Sequence, residues 1–164
     1  MINNKKIDFG SICSDINYFL AFGFGSGLSP KAPGTVGTLV AFPLFWLLDA
    51  TIPSPLIPVI MLVFFLAGIS ICDKAGKFSG VCDHPGIVWD EIVAMLIILF
   101  SIPYSLTTFV LAFLFFRIFD ILKPWPILFF DQKLKNGFGV MFDDLLAALY
   151  ALLCLTVYQQ LFSF

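Results

Sequence analysis

The chain has 164 residues, of which 60% are hydrophobic and 12% are charged, and its formal net charge is −2. This composition is too apolar for an ordinary soluble domain of this length and indicates an integral membrane protein with one domain. The basic residues are few and scattered, which argues against nucleic-acid binding. Residues 1–16 are polar and lack the apolar core of a signal peptide, so we expect a short cytoplasmic segment there.

Apolar residues are concentrated in five stretches, which cover residues 36–48, 55–72, 87–102, 104–122 and 139–162. A membrane-crossing helix needs about 20 apolar residues, with about 17 as the lower limit, and the second, fourth and fifth stretches reach it. The first and third are short, so we expect them to tilt, to extend into flanking loops, or to lie buried within the bundle. Residues 17–28 form a further apolar piece broken by glycines, which predicts a short interfacial or re-entrant helix. The sequence therefore predicts an all-α membrane bundle of about five main helices, in a single domain over residues 1–164.

Alternation of the five helices separates the charges between the two membrane faces. If residues 23–35 define side A, the loops at 73–86 and 117–137 also lie on side A, and those at 49–54 and 103–107 lie on side B. All nine basic residues then fall on side A: Lys5, Lys6, Lys31, Lys74, Lys77, Arg117, Lys123, Lys133 and Lys135. The positive-inside rule makes side A the cytoplasmic face.

Five carboxylates lie at the side A ends of these stretches, namely Asp90, Glu91, Asp120, Asp143 and Asp144. An ionisable side chain near the hydrocarbon costs a few kcal/mol, so it is first interpreted as functional. Adjacent like charges repel unless a cation lies beside them, and Mg²⁺ prefers carboxylates together with waters and phosphate oxygens. We therefore expect the carboxylates to converge on Mg²⁺, with the ligand subset open. Alternatively, the acidic pairs only complement helix dipoles.

Two basic residues on side A suit phosphate binding. Arg117, Asp120 and Lys123 recur every three residues and share one helix face, which Pro124 should end just after Lys123. The planar fork of Arg117 fits phosphate oxygens, and Lys123 adds a second positive charge. The alternative is an Arg117–Asp120 pair that neutralises itself, with Lys123 reaching towards the interface.

Residues 23–38 are rich in glycine and hydroxyl groups and contain no acid. Glycine allows the backbone to approach a ligand, and free N–H groups before a helix bind anions. The segment, with Lys31, Gly34 and Thr35, predicts a phosphate cradle, although glycine also serves close helix packing.

Two loops should lead into helices that carry acidic pairs. Residues 83–91 predict a loop that enters a helix at Pro85 or Gly86, and residues 137–144 predict a glycine-hinged loop before the last helix. His84, the only histidine, is a candidate general acid or an ordinary loop residue, and Asp83 beside it is a further candidate.

Four segments together resemble the phosphatidylglycerophosphatase A family: residues 23–39, 87–95, 116–127 and 137–148, in the family's order and spacing. The resemblance implies a Mg²⁺-dependent phosphatase of the bacterial inner membrane that converts phosphatidylglycerophosphate to phosphatidylglycerol. The polar residues that match by position are Lys31, Thr35, Asp83, Asp90, Glu91, Arg117, Asp120, Lys123, Asp143 and Asp144. The chain departs at Ala94 and Ala148, where the family usually has glycine; we expect tighter contacts there and no lost chemistry.

Other functions stay open alongside this one. The protein could be a phosphatase for another phosphorylated lipid or a soluble phosphomonoester. A small cation carrier could use the same carboxylates, but a carrier should place them near the bilayer midplane rather than at one face. Within the phosphatase hypothesis, a carboxylate outside the metal site could act as general base or as covalent nucleophile.

Overall fold

The computed structural model describes residues 7–162, and within that range the chain is helical with no β-strand. Five long helices coincide with the five apolar stretches, which confirms the predicted all-α bundle. The helices in chain order are α1 (Phe9–Ile12), α2 (Ile16–Ala21), a 3₁₀ helix (Gly23–Leu28), α3 (Pro33–Thr51), a 3₁₀ turn (Ser54–Leu56), α4 (Ile57–Ser79), α5 (Trp89–Ser101), α6 (Leu106–Leu122), α7 (Ile127–Lys133) and α8 (Gly137–Phe162). Lys5, Lys6 and the start of the predicted polar segment lie outside the described residues.

Within residues 7–162, three helical segments are long and apolar enough to cross a membrane: Pro33–Thr51, Ser54–Ser79 and Gly137–Phe162. The first of them corresponds to a short apolar stretch. It gains length because the helix extends into the flanking loop and begins at Pro33, a residue suited to the first helical position. Helix α6, with 17 residues, stands at the lower limit for a span.

Helix α5 is the centre of the bundle. Its 13 residues are too few to cross a bilayer, and nine of them are buried. It packs against α3, α4, α6 and α8, so it is apolar on nearly all of its faces. The third apolar stretch is therefore short because it is enclosed by the other helices. Ala94 of α5 and Ala148 of α8 are both buried in this core.

Contacts at both ends of the bundle agree with the alternating arrangement of the helices. On side A, the start of α8 at Gly137 lies against Ile69 and Asp73 in the last turns of α4. On side B, the hydroxyl of Tyr104, between α5 and α6, donates a 2.5 Å hydrogen bond to Asp49 near the end of α3. The N-terminal residues of α3, α5 and α8 and the C-terminal residues of α4 and α6 therefore share side A.

The prediction of a glycine-hinged loop over residues 137–144 is wrong, because α8 already begins at Gly137. The side-chain oxygen of Asn136 accepts a 2.9 Å hydrogen bond from the N–H of Gly139 and caps the helix. A Cβ atom would collide with the carbonyl of Ile69 at position 137 and with the carbonyl of Leu134 at position 139. These glycines allow close packing, and the acidic pair that follows lies inside the helix.

The N-terminal part packs as short pieces rather than as a span. Helix α2 has six residues and is capped by Asp15, which accepts a 2.7 Å hydrogen bond from the N–H of Asn17. The 3₁₀ helix that follows has a kink at Phe24 and Gly25, where φ is 59° and 100°. Phe9 and Ile16, which precede the predicted interfacial or re-entrant segment 17–28, expose their apolar side chains.

Candidate active site

Arg117, in the last turns of α6, joins three helices at side A. Its Nη1 atom lies 2.6 Å from Asp120 Oδ2 on the same helix and 3.0 Å from Glu91 Oε1 in the first turn of α5. The hydroxyl of Thr38, on α3, lies 3.5 Å from the same nitrogen. The self-neutralising Arg117–Asp120 pair considered from the sequence is thus formed, but Glu91 extends it to a second carboxylate.

The other edge of the Arg117 guanidinium has a buried nitrogen without a partner. The Nε atom is inaccessible to solvent and makes no hydrogen bond within residues 7–162. Leaving a donor on a charged, buried group unsatisfied is costly, so such an atom in a native protein calls for an explanation. An anion that binds during function would satisfy it.

Lys123 does not extend towards the interface but holds two acidic residues together. It follows the last residue of α6 in a left-handed conformation, with φ of 42°. Its ammonium group contacts Asp143 of α8 and lies 2.8 Å from Asp131 Oδ1 of α7. Burial disfavours the ammonium charge, but the two carboxylates outweigh this effect and raise the pKa of Lys123 above its ordinary value.

Asp131 is a site residue that the sequence argument missed. It lies eight residues beyond Lys123, in a short helix whose exposed Leu128 and Phe129 indicate only an interfacial position. Partial burial works against its charge, yet the hydrogen bond and charge of Lys123, helped by Lys135, hold the pKa of Asp131 below its usual value. Only the turn between α6 and α7, which the sequence does not specify, places it beside Lys123.

Three further carboxylates are buried next to this network. Asp90, Asp143 and Asp144 expose 7%, 5% and 3% of their surface, and each has one inaccessible oxygen that lacks a hydrogen-bond partner in the described chain. Asp144 lies within electrostatic range of Asp90, Asp143, Asp120 and Glu91. The five carboxylates named from the sequence therefore belong to one cluster at side A, built from α5, α6 and α8.

This donor set is compatible with Mg²⁺ but is not a complete metal site. Among residues 7–162, no three His, Cys, Asp or Glu side chains are arranged to hold one ion. Mg²⁺ is usually bound by one or two carboxylates, with waters and substrate phosphate oxygens in the remaining positions. One or two of the carboxylate oxygens of Asp90, Asp143 and Asp144 that lack a partner among residues 7–162 would meet that requirement.

The start of α3 lies against the cluster through Gly34. A Cβ atom there would collide with Glu91 Oε1, so any other residue at position 34 would force this carboxylate to shift. The other two predicted cradle residues are less involved: Lys31 is exposed and Thr35 is half-buried, and the side chain of neither makes a hydrogen bond or an ion pair in the part of the chain described. No side chain among the described residues caps the first turn of α3.

His84 and Asp83 lie in the loop before α5, at the border of the cluster. Nδ1 of His84 accepts a 3.0 Å hydrogen bond from the N–H of Gly86, and the ring packs against Phe22. Burial lowers the pKa of His84, and the opposing charge of Asp83 does not reverse this shift. His84 lines a cavity of about 690 Å³ formed by the loops around residues 27–33 and 79–86. No hydrogen bond in residues 7–162 links it to the carboxylates.

Comparison with known proteins assigns the chain to a family. The family model described as Phosphatidylglycerophosphatase A matches residues 19–159. The chain belongs to the phosphatidylglycerophosphatase A family. It is accordingly a phosphoric monoester hydrolase, and the resemblance found in four sequence segments is confirmed.

The relatives cover most of the chain. The chain is 46% identical to Phosphatidylglycerophosphatase A of Haemophilus influenzae over 160 residues, which are 97% of this chain and 98% of that protein. It is 44% identical to Phosphatidylglycerophosphatase A of Escherichia coli over 131 residues, which are 79% of this chain and 76% of that protein. A Bacteroides thetaiotaomicron protein with the provisional name phosphatidylinositol-3-phosphatase is 37% identical over 142 residues, 82% of this chain and 88% of that protein. No solved structure matches the chain significantly.

Proposed function

We propose that this protein hydrolyses the terminal phosphomonoester of phosphatidylglycerophosphate to phosphatidylglycerol and phosphate, with Mg²⁺, at the side A cluster. Family membership supports the reaction and the lipid class. The observation that supports the site is a pair of opposite unmet needs among residues 7–162: one buried Arg117 nitrogen has no hydrogen-bond acceptor, and three buried carboxylate oxygens have no donor. A phosphate ester bound together with a divalent cation would satisfy both.

Arg117 is the proposed phosphate-binding residue. Its Nη1 edge is held by Glu91 and Asp120, which fixes the plane of the guanidinium and leaves Nε for an oxygen of the phosphoryl group. Arginine suits this role because its donors form a rigid fork and its charge persists at all relevant pH values. A guanidinium already oriented before the substrate arrives stabilises transition-state charge without reorganising.

One or two of Asp90, Asp143 and Asp144 would hold Mg²⁺ together with waters and phosphate oxygens, with Glu91 and Asp120 at the edge of the site. When bound, the ion would neutralise phosphate charge and lower the pKa of a coordinated water. Lys123 lies against Asp143 and supplies a fixed positive charge beside this group. Its position supports a role in binding the anionic substrate rather than a free interfacial position.

Hydrolysis adds the elements of one water across the phosphorus–oxygen bond of the ester. A carboxylate of the cluster that is not bound to the cation takes the proton as water attacks, or it attacks phosphorus itself and is released by water in a second step. In the first route the carboxylic acid so formed returns its proton to the departing glycerol oxygen. In the second the glycerol oxygen takes a proton from water as it leaves, and hydrolysis of the acyl phosphate then releases phosphate and restores the carboxylate. Buried carboxylates with unpartnered oxygens are suited to both roles.

The placement of the cluster suits a lipid substrate. All five carboxylates lie near helix ends rather than at the middle of the bundle, so a headgroup can reach them while its acyl chains stay in the bilayer. Next to Lys123, the side chains of Leu122 and Trp125 are exposed, as expected of residues at a membrane interface. With side A on the cytoplasmic face of the inner membrane, the product would be released into the cytoplasmic leaflet.

A second substrate class deserves direct comparison because of one relative. The Bacteroides thetaiotaomicron protein has a name that refers to a phosphoinositide. A phosphatase for another phosphorylated lipid, or for a soluble phosphomonoester, would use the same cluster. A cation carrier is less well supported, since the acids lie at one end of the bundle.

Phosphate release by the purified protein in detergent tests the proposal. We expect release from phosphatidylglycerophosphate in the presence of Mg²⁺, much slower release from phosphatidylinositol 3-phosphate and glycerol 3-phosphate, and no release after chelation with EDTA. Independently of activity, Mn²⁺ used as a paramagnetic probe should bind the wild type and bind weakly to Asp144→Asn. No release from phosphatidylglycerophosphate would refute the substrate assignment, and release that persists in EDTA would refute the requirement for Mg²⁺.

A further inference from the structure

We infer that Thr38 is a positioning residue of the active site, whose hydroxyl fixes the Glu91 carboxylate relative to the Arg117 guanidinium. This inference rests on the proposed function, because it concerns the residues that would bind the phosphate. The sequence pattern places Thr38 only at the end of the predicted cradle segment, residues 23–38, and assigns it no contact with Glu91 or Arg117. It lies on α3 and is fully buried, although it is polar.

The hydroxyl of Thr38 contacts both members of the ion pair between α5 and α6. Oγ1 lies 3.2 Å from Glu91 Oε2 and 3.5 Å from Arg117 Nη1. Nη1 meets the other oxygen of the same carboxylate, Oε1, at 3.0 Å. Thr38, Glu91 and Arg117 are thus in mutual contact, and α3 contacts this ion pair through the polar side chain of Thr38.

The donor count of the hydroxyl suggests how it works. Thr38 has one O–H proton and two acceptors within reach, Glu91 Oε2 and the carbonyl of Gly34, which is 2.9 Å away. If Glu91 turns to meet a ligand, the Thr38 hydroxyl can still donate its hydrogen bond to the Gly34 carbonyl, so no buried donor is left unsatisfied. The hydroxyl can therefore hold the carboxylate without preventing its movement.

The close approach of the two helices makes this contact specific. Gly34 lies one turn before Thr38, and a Cβ atom there would collide with Glu91 Oε1. The bare backbone at Gly34 and the hydroxyl at Thr38 together form the surface of α3 on which the Glu91 carboxylate rests. A side chain without a hydroxyl at position 38 would leave one oxygen of that carboxylate without its partner.

The test compares Thr38→Val, which keeps the shape and removes the hydroxyl, with Thr38→Ser, which keeps the hydroxyl. Thr51→Val is the matched control, because Thr51 is on the same helix, also bonds the carbonyl four residues earlier, and is exposed near side B. For Thr38→Val we expect kcat for phosphatidylglycerophosphate to fall about tenfold, the effect of one hydrogen bond to a charged group, with KM changed less than about threefold.

A purely structural role predicts a different pattern. It would lower the thermal stability of Thr38→Val without lowering kcat of the folded fraction. In that case Thr38→Ser and Thr38→Val would have the same kcat. Positioning predicts that Thr38→Ser recovers most of kcat and that Thr51→Val keeps the wild-type value. If Thr38→Val does not fold, Thr38→Ala replaces it.

The outcomes also separate this inference from the proposed function. Wild-type kcat in a folded Thr38→Val or Thr38→Ala variant overturns the positioning role while leaving the phosphatase assignment intact. Wild-type protein without activity on phosphatidylglycerophosphate overturns the assignment on which the inference rests.

Discussion

At the scale of single residues, the site is defined by atoms that have no partner. In the described chain, Nη1 of Arg117 has three polar partners and Nε has no hydrogen-bond partner. The sequence placed Arg117 and Asp120 on one helix face, because residues three apart on a helix are neighbours. It could not indicate Glu91 or Thr38 as partners, because those contacts arise only when α3, α5 and α6 pack.

Replacing Arg117 with lysine tests whether the forked geometry matters or only the charge. Arg117→Lys keeps one positive charge but has a single donor nitrogen, so it cannot hold Glu91 and Asp120 at one nitrogen and present another to a phosphate oxygen. We expect kcat/KM for phosphatidylglycerophosphate to fall about 10- to 100-fold. Lys133→Arg, the reverse exchange at an exposed residue of α7, should have no effect. Unchanged kcat/KM in Arg117→Lys would show that a point charge is sufficient.

Asp131 gives a prediction about pH. Its pKa is lowered below the ordinary value of 3.8, so its ionised form stabilises the fold above about pH 4, and the contribution disappears as pH falls through the lowered pKa. Between about pH 5 and 9, the free energy of unfolding of Asp131→Asn should therefore be about 1 kcal/mol below that of the wild type. This value is the upper end of what such ion pairs contribute. The difference should vanish towards pH 3 in denaturation measurements. A difference that persists unchanged at pH 3 would show that the charge of Asp131 is not its cause.

At the scale of helices, the length of an apolar stretch predicted that a helix forms there, but not whether that helix is enclosed by other helices. The stretch at 87–102 is short because α5 is enclosed by four helices, whereas the one at 36–48 is short because α3 continues over Pro33 and Gly34, which are not strongly apolar. Both outcomes were among the alternatives, and hydrophobicity alone cannot choose between them. Glycine was similarly ambiguous: the Gly137 and Gly139 pattern fits a hinge or a close contact, and only the neighbouring carbonyls decide for the contact.

Gly137→Ala tests this contact between α4 and α8. The added Cβ would collide with the carbonyl of Ile69, a backbone atom that cannot turn aside, so α8 must move away from α4. We expect a loss of about 1–3 kcal/mol of stability and lower activity, because Asp143 and Asp144 lie two turns further along α8. Gly10→Ala in α1, where a Cβ would make only an ordinary 3.7 Å contact, is the control. Wild-type stability in Gly137→Ala would support a hinge.

At the scale of the whole molecule, the sequence predicted the common side of the charged residues. Alternating five helices put the acidic clusters and the basic residues on side A, and the ion pairs of Arg117 with Glu91 and of Lys123 with Asp143 join helix ends on that side. What could not be predicted is which charges neutralise one another. That depends on the depth and rotation of each helix, which are set by packing around α5.

The orientation of side A in the cell is open to measurement. In a variant without the native cysteines, we expect Ser105→Cys, between α5 and α6 on side B, to react with a membrane-impermeant maleimide in intact spheroplasts. Lys135→Cys, exposed on side A, should react only after the membrane is permeabilised. The reverse pattern would place the carboxylate cluster outside the cytoplasm.

The central claim is that the side A carboxylates perform the hydrolysis, and phosphate release by purified variants tests it most directly. With phosphatidylglycerophosphate and Mg²⁺, Asp90→Asn and Asp143→Asn should each lose at least about 100-fold in kcat, the scale of removing a group that stabilises transition-state charge. Asp49→Asn, which changes an acid at side B, should keep kcat within about twofold of wild type. Full activity in both Asp90→Asn and Asp143→Asn would contradict the account.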